Sequence, residues 1–340
     1  MRSEKHWLAF LWLALLMSAC GHKDLCLDHR HQARVRVNVD WSKFTVETPT
    51  GMSVLFYPAD GGTPSTCLSN ELNYVELNLP PARYHCLVYN QSPSEFGTVT
   101  FAGMEHLATA TVNAKERASR WFRARAENEM LIMNPEWIAT DHRNDIDITQ
   151  AMVEATAEAH RISRQTAVPA ENVVATLTPE NIVCTIVVTI HLKGIYNLRS
   201  ARASLDGLAA GYHLGQGKVL EEKATQLLEE WSMETDPYDA TRGTITARIH
   251  SFGLPVGHGK LPEENWLRLS LLLVDGQTQI NHDFPVGDSF REGVDNEVSL
   301  YLERTLEQTL PDVKPAGSTS GGFDATVDDW DDDIKIEINT

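Results

Sequence analysis

The part of the sequence closest to a nucleotide-binding motif is a glycine cluster at residues 253–260, Gly-Leu-Pro-Val-Gly-His-Gly-Lys. A phosphate-binding loop needs a first glycine five residues before the glycine that precedes its lysine, and a hydroxyl residue after that lysine. Here Leu254 and Leu261 occupy these two positions. The sequence also has no G-x-S-x-G elbow and no H-E-x-x-H helix. We therefore predict no catalytic residues, and a hydrolase whose triad is spread along the chain is the minority alternative.

Metal ligands occur in three short stretches, and none of them has the pattern of a dedicated site. Residues 28–31 read Asp-His-Arg-His, where Arg30 stands between the candidate ligands and disfavours a cation. Carboxylates cluster at residues 144–147 and 328–333. Neither cluster has the glycine-bent loop of an EF-hand calcium site, and a solvated acidic linker explains the second one better. The sequence therefore predicts no metal and no cofactor.

Cys20 is the residue to which the sequence assigns a specific chemistry, the attachment of lipid. The chain begins with a basic segment containing Arg2 and Lys5, followed by an uncharged apolar run at residues 7–17. That run is about half the length of a membrane-spanning helix, which is typical of a signal peptide. Residues 16–20, Leu-Met-Ser-Ala-Cys, resemble the lipobox read by lipoprotein signal peptidase. We predict a signal peptide at residues 1–19 and a lipidated tether at residues 20–32; an ordinary secretory signal with a chance cysteine is the alternative.

The four remaining cysteines form an even set, which permits one or two disulfides in an oxidising compartment. They are Cys26, Cys67, Cys86 and Cys184. Four thiols can pair in three ways, and none of the spacings is the C-x-x-C of zinc or thioredoxin-like sites. A bridge between Cys67 and Cys86 is one candidate pairing. Free buried thiols at Cys86 and Cys184 are the alternative, because both lie in apolar runs.

The charge of the chain excludes one class of partner. It carries 47 acidic against 29 basic residues, a net charge of −18 at pH 7. Such a chain is repelled by phosphate backbones and by anionic lipid. Nucleic acid is therefore not expected as a partner.

The first half of the chain has the pattern of a β-sandwich. Residues 33–41 place Val35, Val37 and Val39 on one face of a strand, with polar residues on the other. Further apolar runs separated by Gly, Pro and Asn turns occur at residues 52–57, 73–79, 84–89, 98–101 and 108–112. Residues 115–130 are richer in helix formers and predict a helix or an irregular excursion. A polar stretch with Pro169 suggests a boundary near residue 165, which gives a first domain at residues 33–165.

The second half repeats the strand pattern and predicts a second β-sandwich domain at residues 166–313. Its strand candidates are residues 182–192, 195–205, 243–252, 266–274 and 279–284. Apolar residues between 219 and 231 recur at three and four positions among Glu and Lys, which predicts an amphipathic helix inserted on the sandwich. The fold is thus predicted to be mostly β, with minor helical insertions.

The C-terminal segment, residues 314–340, combines a flexible linker with a strand. Its composition changes to Pro, Gly and Ser, then to an acidic run. Ile334, Ile336 and Ile338 then alternate with polar residues, so that all three face one side of a strand. This strand can complete the sandwich of its own chain or add to a neighbouring subunit, and the sequence leaves both open.

Short stretches spread along the chain carry a likeness to known sequences, at residues 20–29, 37–41, 51–58, 79–84, 89–90, 203–209, 251–253, 273–276 and Trp330. Through them nearly the whole sequence resembles an uncharacterised lipoprotein family of Bacteroidales grouped near the fimbrillins. The resemblance implies two transthyretin-like β-sandwich domains, a lipid anchor in the outer membrane and a role as a fimbrial or surface-assembly component, with no catalytic residues. Surface-exported lipoproteins of these bacteria often carry acidic residues after the lipidated cysteine. Here Gly21, His22 and Lys23 follow the cysteine instead. The sequence therefore leaves two locations open, the cell surface and the periplasmic face of the outer membrane.

Two classes of function follow. The first is a structural or adhesive surface component, a fimbrial anchor or accessory subunit that contacts other subunits by β-strand addition. The alternative is a glycan-binding surface lipoprotein in which tryptophans stack on sugar rings. The tryptophans considered for this are Trp41, Trp137, Trp231 and Trp266. Trp41 and Trp266 lie in strand patterns, which favours a core role for them.

Overall fold

A computed structural model describes residues 31–123, 129–163, 172–293 and 299–317. Strands dominate the described chain, with one α-helix, α1 (Gln150–Ser163). The strands are β1 Ala33–Val39, β2 Met52–Pro58, β3 Ser65–Ser69, β4 Tyr74–Leu79, β5 Ala82–Asn90, β6 Val99–Ala102, β7 Thr111–Ala114, β8 Ala139–Ile148, β9 Asn172–Leu177, β10 Glu180–Asn181, β11 Cys184–Lys193, β12 Leu198–Ala209, β13 Gly211–His213, β14 Lys218–Val219, β15 Lys223–Leu228, β16 Trp231–Thr235, β17 Arg242–Ser251, β18 Trp266–Leu273, β19 Gln279–Pro285, β20 Arg291–Glu292 and β21 Ser299–Thr305.

Two sheets face each other in the first half. Sheet 1 has the order β4-β1-β9, and sheet 2 has the order β10-β8-β5-β2-β3. Alternation in β1 turns Val35 and Val37 inward, where they share one buried core with Val54, Phe56 and other residues of sheet 2. The mostly β prediction is confirmed here.

Sheet 2 is buried on both of its faces. Its second face carries Leu55 and Leu87, which pack against Val112 of sheet 3, a sheet with the order β14-β13-β7-β6. Every residue of β2 before Pro58 is consequently buried. A strand covered on both sides needs apolar residues at successive positions, and the sequence Met-Ser-Val-Leu-Phe-Tyr supplies them.

A second pair of sheets builds the other half. Sheet 4 has the order β16-β17-β11-β21-β20, and sheet 5 has the order β15-β12-β18-β19. Ile186 and Ile190 of β11 share a core with Leu269 and Leu271 of β18. The second group of predicted strands thus also forms facing sheets.

The two halves have the same strand arrangement. In sheet 1, β1 pairs antiparallel with β4 and parallel with β9. In sheet 4, β11 pairs antiparallel with β17 and parallel with β21. The facing sheets correspond as well, because the order β3-β2-β5-β8 matches β15-β12-β18-β19. The chain therefore contains a repeated topology.

Hydrogen bonding also links the halves to each other. β9 follows residue 165, where we predict the domain boundary, and yet it pairs with β1. In the chain, β13 lies between β12 and β15, which both belong to sheet 5. It nevertheless pairs with β7 of sheet 3. The domain limits stay a prediction, and strands on the far side of residue 165 add to sheets of the first half.

The amphipathic helix predicted between residues 219 and 231 is wrong. This segment contains the end of β14, all of β15 and the start of β16. Ala224 through Leu228 are all buried, because Leu228 on one face of β15 belongs to the second core, while on the other face Thr225 donates its hydroxyl to Glu129 at 2.9 Å. A strand that is buried on both faces lacks the alternation of apolar and polar residues. Its apolar positions can then also fit the spacing of a helix.

The α-helix lies elsewhere, at Gln150–Ser163, directly before the predicted boundary. Thr149 accepts the amide of Val153 with its carbonyl and that of Met152 with its hydroxyl, and so begins the helix. Val153 packs into the first core, and Thr156 Oγ1 accepts the amide of Arg34 at 3.0 Å. Within residues 115–130, the described part contains no helix.

No helix among the described residues is both long and apolar enough to cross a bilayer.

Candidate functional site

Four of the predicted site residues lie outside the described ranges. These are the lipidation residue Cys20 and the three tail isoleucines, Ile334, Ile336 and Ile338. The structure does describe the place where the C-terminal segment begins. That place and the sheet edge beside it form the first candidate site.

The described chain ends against the turn between β18 and β19. The amide of Ala316 donates a hydrogen bond of 3.0 Å to the carbonyl of Val274. Asp275 fixes this turn, because its carboxylate accepts the hydroxyl of Thr278 at 2.6 Å and the amide of Thr278 at 2.9 Å. The same hydrogen bonds, led by the one from the hydroxyl, lower the pKa of Asp275. The tail therefore departs from a fixed point on sheet 5.

The strand next to this point, β19, is an open edge. It has seven residues and is the longest edge strand among the described residues. Its backbone pairs with β18 on one side, while the described residues place no strand on the other. Ile280 and Phe284 pack on the second core, and Asn281 is exposed. An unpaired edge of this kind is a template for strand addition.

The opposite edge of sheet 5 is closed. The amide of Thr225 in β15 donates to the carbonyl of Met130 at 2.8 Å, and the amide of Ile132 donates to the carbonyl of Thr225 at 3.0 Å. Residues 130–132 thus occupy the position of a neighbouring strand. Of the two edges of sheet 5, β19 is the one left unpaired within the described chain.

The proposed bridge between Cys67 and Cys86 is wrong, since both residues are free thiols. Cys67 pairs with Val54 and Cys86 pairs with Phe56, so β2 separates the two cysteines. Two strand spacings amount to about 9 to 10 Å, beyond the reach of a disulfide between fixed strands. Burial raises the pKa of the Cys86 thiol. Cys184, also buried, is a third free thiol.

Three of the four tryptophans considered for sugar stacking pack in three different cores. Trp231 is buried in the second core, with its Nε1 donating to the carbonyl of Leu228 at 3.0 Å. Trp41 packs against the first core and donates to Leu72. Trp137 lies over the ring of His250, with 4.1 Å between the ring centroids. Each has a structural role in its own region.

The candidate metal stretches give no site within the described chain. Among the described residues, no group of three or more His, Cys, Asp or Glu side chains is placed to hold a metal ion. Asn144 and Asp145 are exposed on β8, and residues 328–333 lie outside the described ranges. In the glycine cluster, Gly253 has a φ of +88° and serves the turn after β17.

A second candidate site is a pocket of about 410 Å³ at one end of sheet 2. Tyr57 and His85 line it, together with Pro58, Ala59, Gly61, Gly62 and residues 105–108. The turn at Gly215 and Gln216 closes one side. No sequence motif indicates this pocket, because its residues come from five separate segments.

Comparison with known proteins shows the family to which this chain belongs. The chain belongs to the family described as "Domain of unknown function (DUF5119)", whose model matches residues 19–229. The family likeness predicted from the sequence is thereby confirmed. Over 358 aligned positions the chain is 20% identical to the "Putative fimbrium anchoring subunit Fim4B" of Bacteroides ovatus, with 100% of each chain covered.

A solved structure from Bacteroides ovatus shows a related fold. A crystal structure described as a "putative adhesin from Bacteroides ovatus" matches with a TM-score of 0.50 and 17% identity, covering 78% of this chain and 86% of that one. The fimbrial anchor protein Mfa2 from Porphyromonas gingivalis matches with a TM-score of 0.42 and 11% identity, covering 80% of this chain and 90% of Mfa2. At these identities the likeness to the adhesin concerns the fold alone.

Proposed function

We propose that this protein is a lipid-anchored outer-membrane component that anchors a fimbrium or accompanies it as an accessory subunit. The observation that carries the proposal is the full-length similarity to a relative named as a fimbrium anchoring subunit. A surface component that works through contacts with other subunits requires no catalytic group, and the proposed role is accordingly not enzymatic.

The membrane attachment in this proposal is lipid on Cys20. A lipobox-like sequence at residues 16–20 follows a short apolar run, which supports cleavage before this cysteine. A fimbrial role places the soluble part at the cell surface rather than on the periplasmic face of the outer membrane. Lipid on the N-terminus leaves the β-sheets free to contact partners.

Each half is proposed to be a transthyretin-like β-sandwich domain, as the family resemblance implies. The repeated topology of sheets 1 and 2 in sheets 4 and 5 supports this proposal. The domains keep the approximate limits 33–165 and 166–313, with β9 and β13 crossing over to pair in the first half. Such crossing strands would keep the two domains in a fixed relation.

Assembly is proposed to use the C-terminal strand that carries Ile334, Ile336 and Ile338. The linker from Gly317 to Ile334 can extend to about 60 Å, while the edge strand β19 is about 23 Å long. The tail leaves the fold beside the beginning of β19, at the contact between Ala316 and Val274. It can therefore reach β19 of its own chain or the corresponding edge of a neighbouring subunit.

The experiment that tests this function is recovery of the tagged, full-length protein from outer membranes of the source bacterium. We expect fimbrial subunits to co-purify and to be identified by mass spectrometry. A chain lacking residues 334–340 is expected to recover fewer of them. Recovery of the intact chain free of fimbrial subunits, from cells that carry fimbriae, would contradict the proposal.

A further inference from the structure

The pocket at the end of sheet 2 has a floor built by one cross-strand pair. Tyr57 of β2 and His85 of β5 are direct partners in the antiparallel register. Their side chains therefore lie on the same face of the sheet, the face that is turned toward sheet 3. Tyr57 is 3% exposed, and both residues line the pocket.

The floor has hydrogen-bonding capacity that the described residues do not use. Tyr57 Oη and His85 Nδ1 are buried and have no hydrogen-bond partner among the described residues. Unsatisfied buried polar atoms are uncommon in folded proteins, because burial removes their hydrogen bonds to water and the loss destabilises the fold unless another partner replaces them. Burial also raises the pKa of Tyr57, so its hydroxyl stays neutral and can both donate and accept.

The shape of the pocket is set by a close backbone contact rather than by flexible side chains. A Cβ atom at Gly215 would lie 2.0 Å from the carbonyl oxygen of Leu107. Only glycine allows the two loops to approach so closely. Gln216, next to it, is positioned by His213, with 2.9 Å between Nε2 of the amide and Nε2 of the ring. These contacts hold the pocket in shape without a ligand.

The lining points to a neutral, hydroxyl-rich ligand. No lysine or arginine lines the pocket, and its charged member is Glu105, so phosphate, sulfate and carboxylate ligands are disfavoured. His106, Asn144 and Gln216 also line the pocket. Imidazole and amide groups both donate and accept hydrogen bonds, which matches the dual character of sugar hydroxyls. Leu107 and Ala108 add apolar atoms to the lining.

We propose that this pocket binds one or two residues of a neutral saccharide. Its volume of about 410 Å³ is within the range of small-ligand sites. The site lies in the first half of the chain and does not involve β19 or the tail. It is therefore independent of the proposed fimbrial role, and either proposal can fail without the other.

The test is saturation-transfer NMR on the full-length soluble protein, made with Cys20→Ala. The probes are glucose, galactose, mannose, N-acetylglucosamine, lactose, maltose and cellobiose. We expect a signal from at least one of them, and none from glucose 6-phosphate or sialic acid. Absence of signal from all the neutral sugars, or signal from the charged ones alone, overturns the proposal.

Variants then locate the binding. Tyr57→Phe removes only the unpartnered hydroxyl, and Asn144→Ala removes one exposed amide at the rim. Each is expected to weaken binding of the best probe at least tenfold, while Asn281→Ala, an exposed amide on β19, leaves it unchanged. Tyr57→Phe should keep or raise the melting temperature of the ligand-free protein. Binding that survives both pocket variants unchanged overturns the assignment to this pocket.

Discussion

The amide of Ala316 and the carbonyl of Val274 form a 3.0 Å hydrogen bond that holds the end of the second sandwich to the turn between β18 and β19. From this contact the C-terminal segment begins next to the longest open edge among the described strands. A strand carried by that segment needs no rearrangement of the sandwich to meet the edge. This relation is the physical basis for linking the tail to assembly.

The first prediction concerns the apolar face of the tail. Replacing the three tail isoleucines by serine should lower the free energy of unfolding of the monomer by up to about 6 kcal/mol, at about 2 kcal/mol for each buried isoleucine. The measurement is urea unfolding followed by tryptophan fluorescence. The matched control replaces Lys335, Glu337 and Asn339 by serine. Equal stability of both triple variants and the wild type would show that the tail does not complete its own fold.

The second prediction concerns the cysteines. In a Cys20→Ala, Cys26→Ala protein, Cys67 should react with a thiol reagent in the native state, because it is only half-buried on the edge strand β3. Cys86 and Cys184 should react only after denaturation, since burial shields them and raises the pKa of Cys184 to about 12. The measurement is absorbance of the released chromophore. Failure of Cys67 and Cys86 to react even in denaturant would indicate a disulfide.

The third prediction concerns a carboxylate that joins the two halves. Glu229 accepts hydrogen bonds from Arg117 at 3.1 Å and from Trp121 Nε1 at 2.9 Å. Glu229→Ala leaves both donors without this acceptor and should lower the free energy of unfolding by about 1 to 3 kcal/mol. Chemical denaturation measures the loss. The neighbouring, exposed Glu230 provides the control, and a Glu230→Ala variant as unstable as Glu229→Ala would contradict the assignment.

The fourth prediction concerns acid stability. Partial burial alone would raise the pKa of Glu136, but hydrogen bonds from Thr98 and Gly97 and the charge of Lys115 hold it below the ordinary value of 4.5. The unfolded chain therefore binds the proton more tightly, and the contribution of Glu136 is complete above pH 4.5 and is lost as the pH falls through its lowered pKa.

The Glu136→Gln variant should consequently lose less stability than the wild type as the pH falls below 4.5. Urea denaturation at several pH values measures the difference. Glu116→Gln, at an exposed carboxylate, is the control and should follow the wild type. Parallel pH profiles for Glu136→Gln and the wild type would contradict the prediction.

The sequence predicted the strands with regular alternation or clear turns, but missed those without either. In β1, valines at every second position gave the strand and its buried face. β8 was missed because Asp141 to Asp147 are largely polar, and its pairing depends on β5. The helix predicted over β15 is wrong because both faces of this strand are buried, and the cover of its outer face comes from a distant segment that includes Glu129.

The candidate sites show the same limit. The isoleucine alternation of the tail is readable from the sequence, but the edge next to it depends on the register of β18 and β19. Tyr57 and His85 become neighbours only through the pairing of β2 with β5. A spacing of 28 residues carries no local signal for such a contact. The missed helix α1 did have a local signal, Thr149 before an alanine-rich stretch.

The central claim, that this protein holds a fimbrium to the outer membrane through lipid on Cys20, is tested most directly by measuring where the fimbriae are. Cells of the source bacterium would carry Cys20→Ala or, as the matched control, Cys26→Ala in place of the wild-type protein. Immunoblots of washed cells and culture medium would quantify the fimbrial subunits. We predict that fimbriae move to the medium in Cys20→Ala cells and stay on the cells in the control. Fimbriae that stay cell-bound in Cys20→Ala cells, at the level of the control, would contradict the claim.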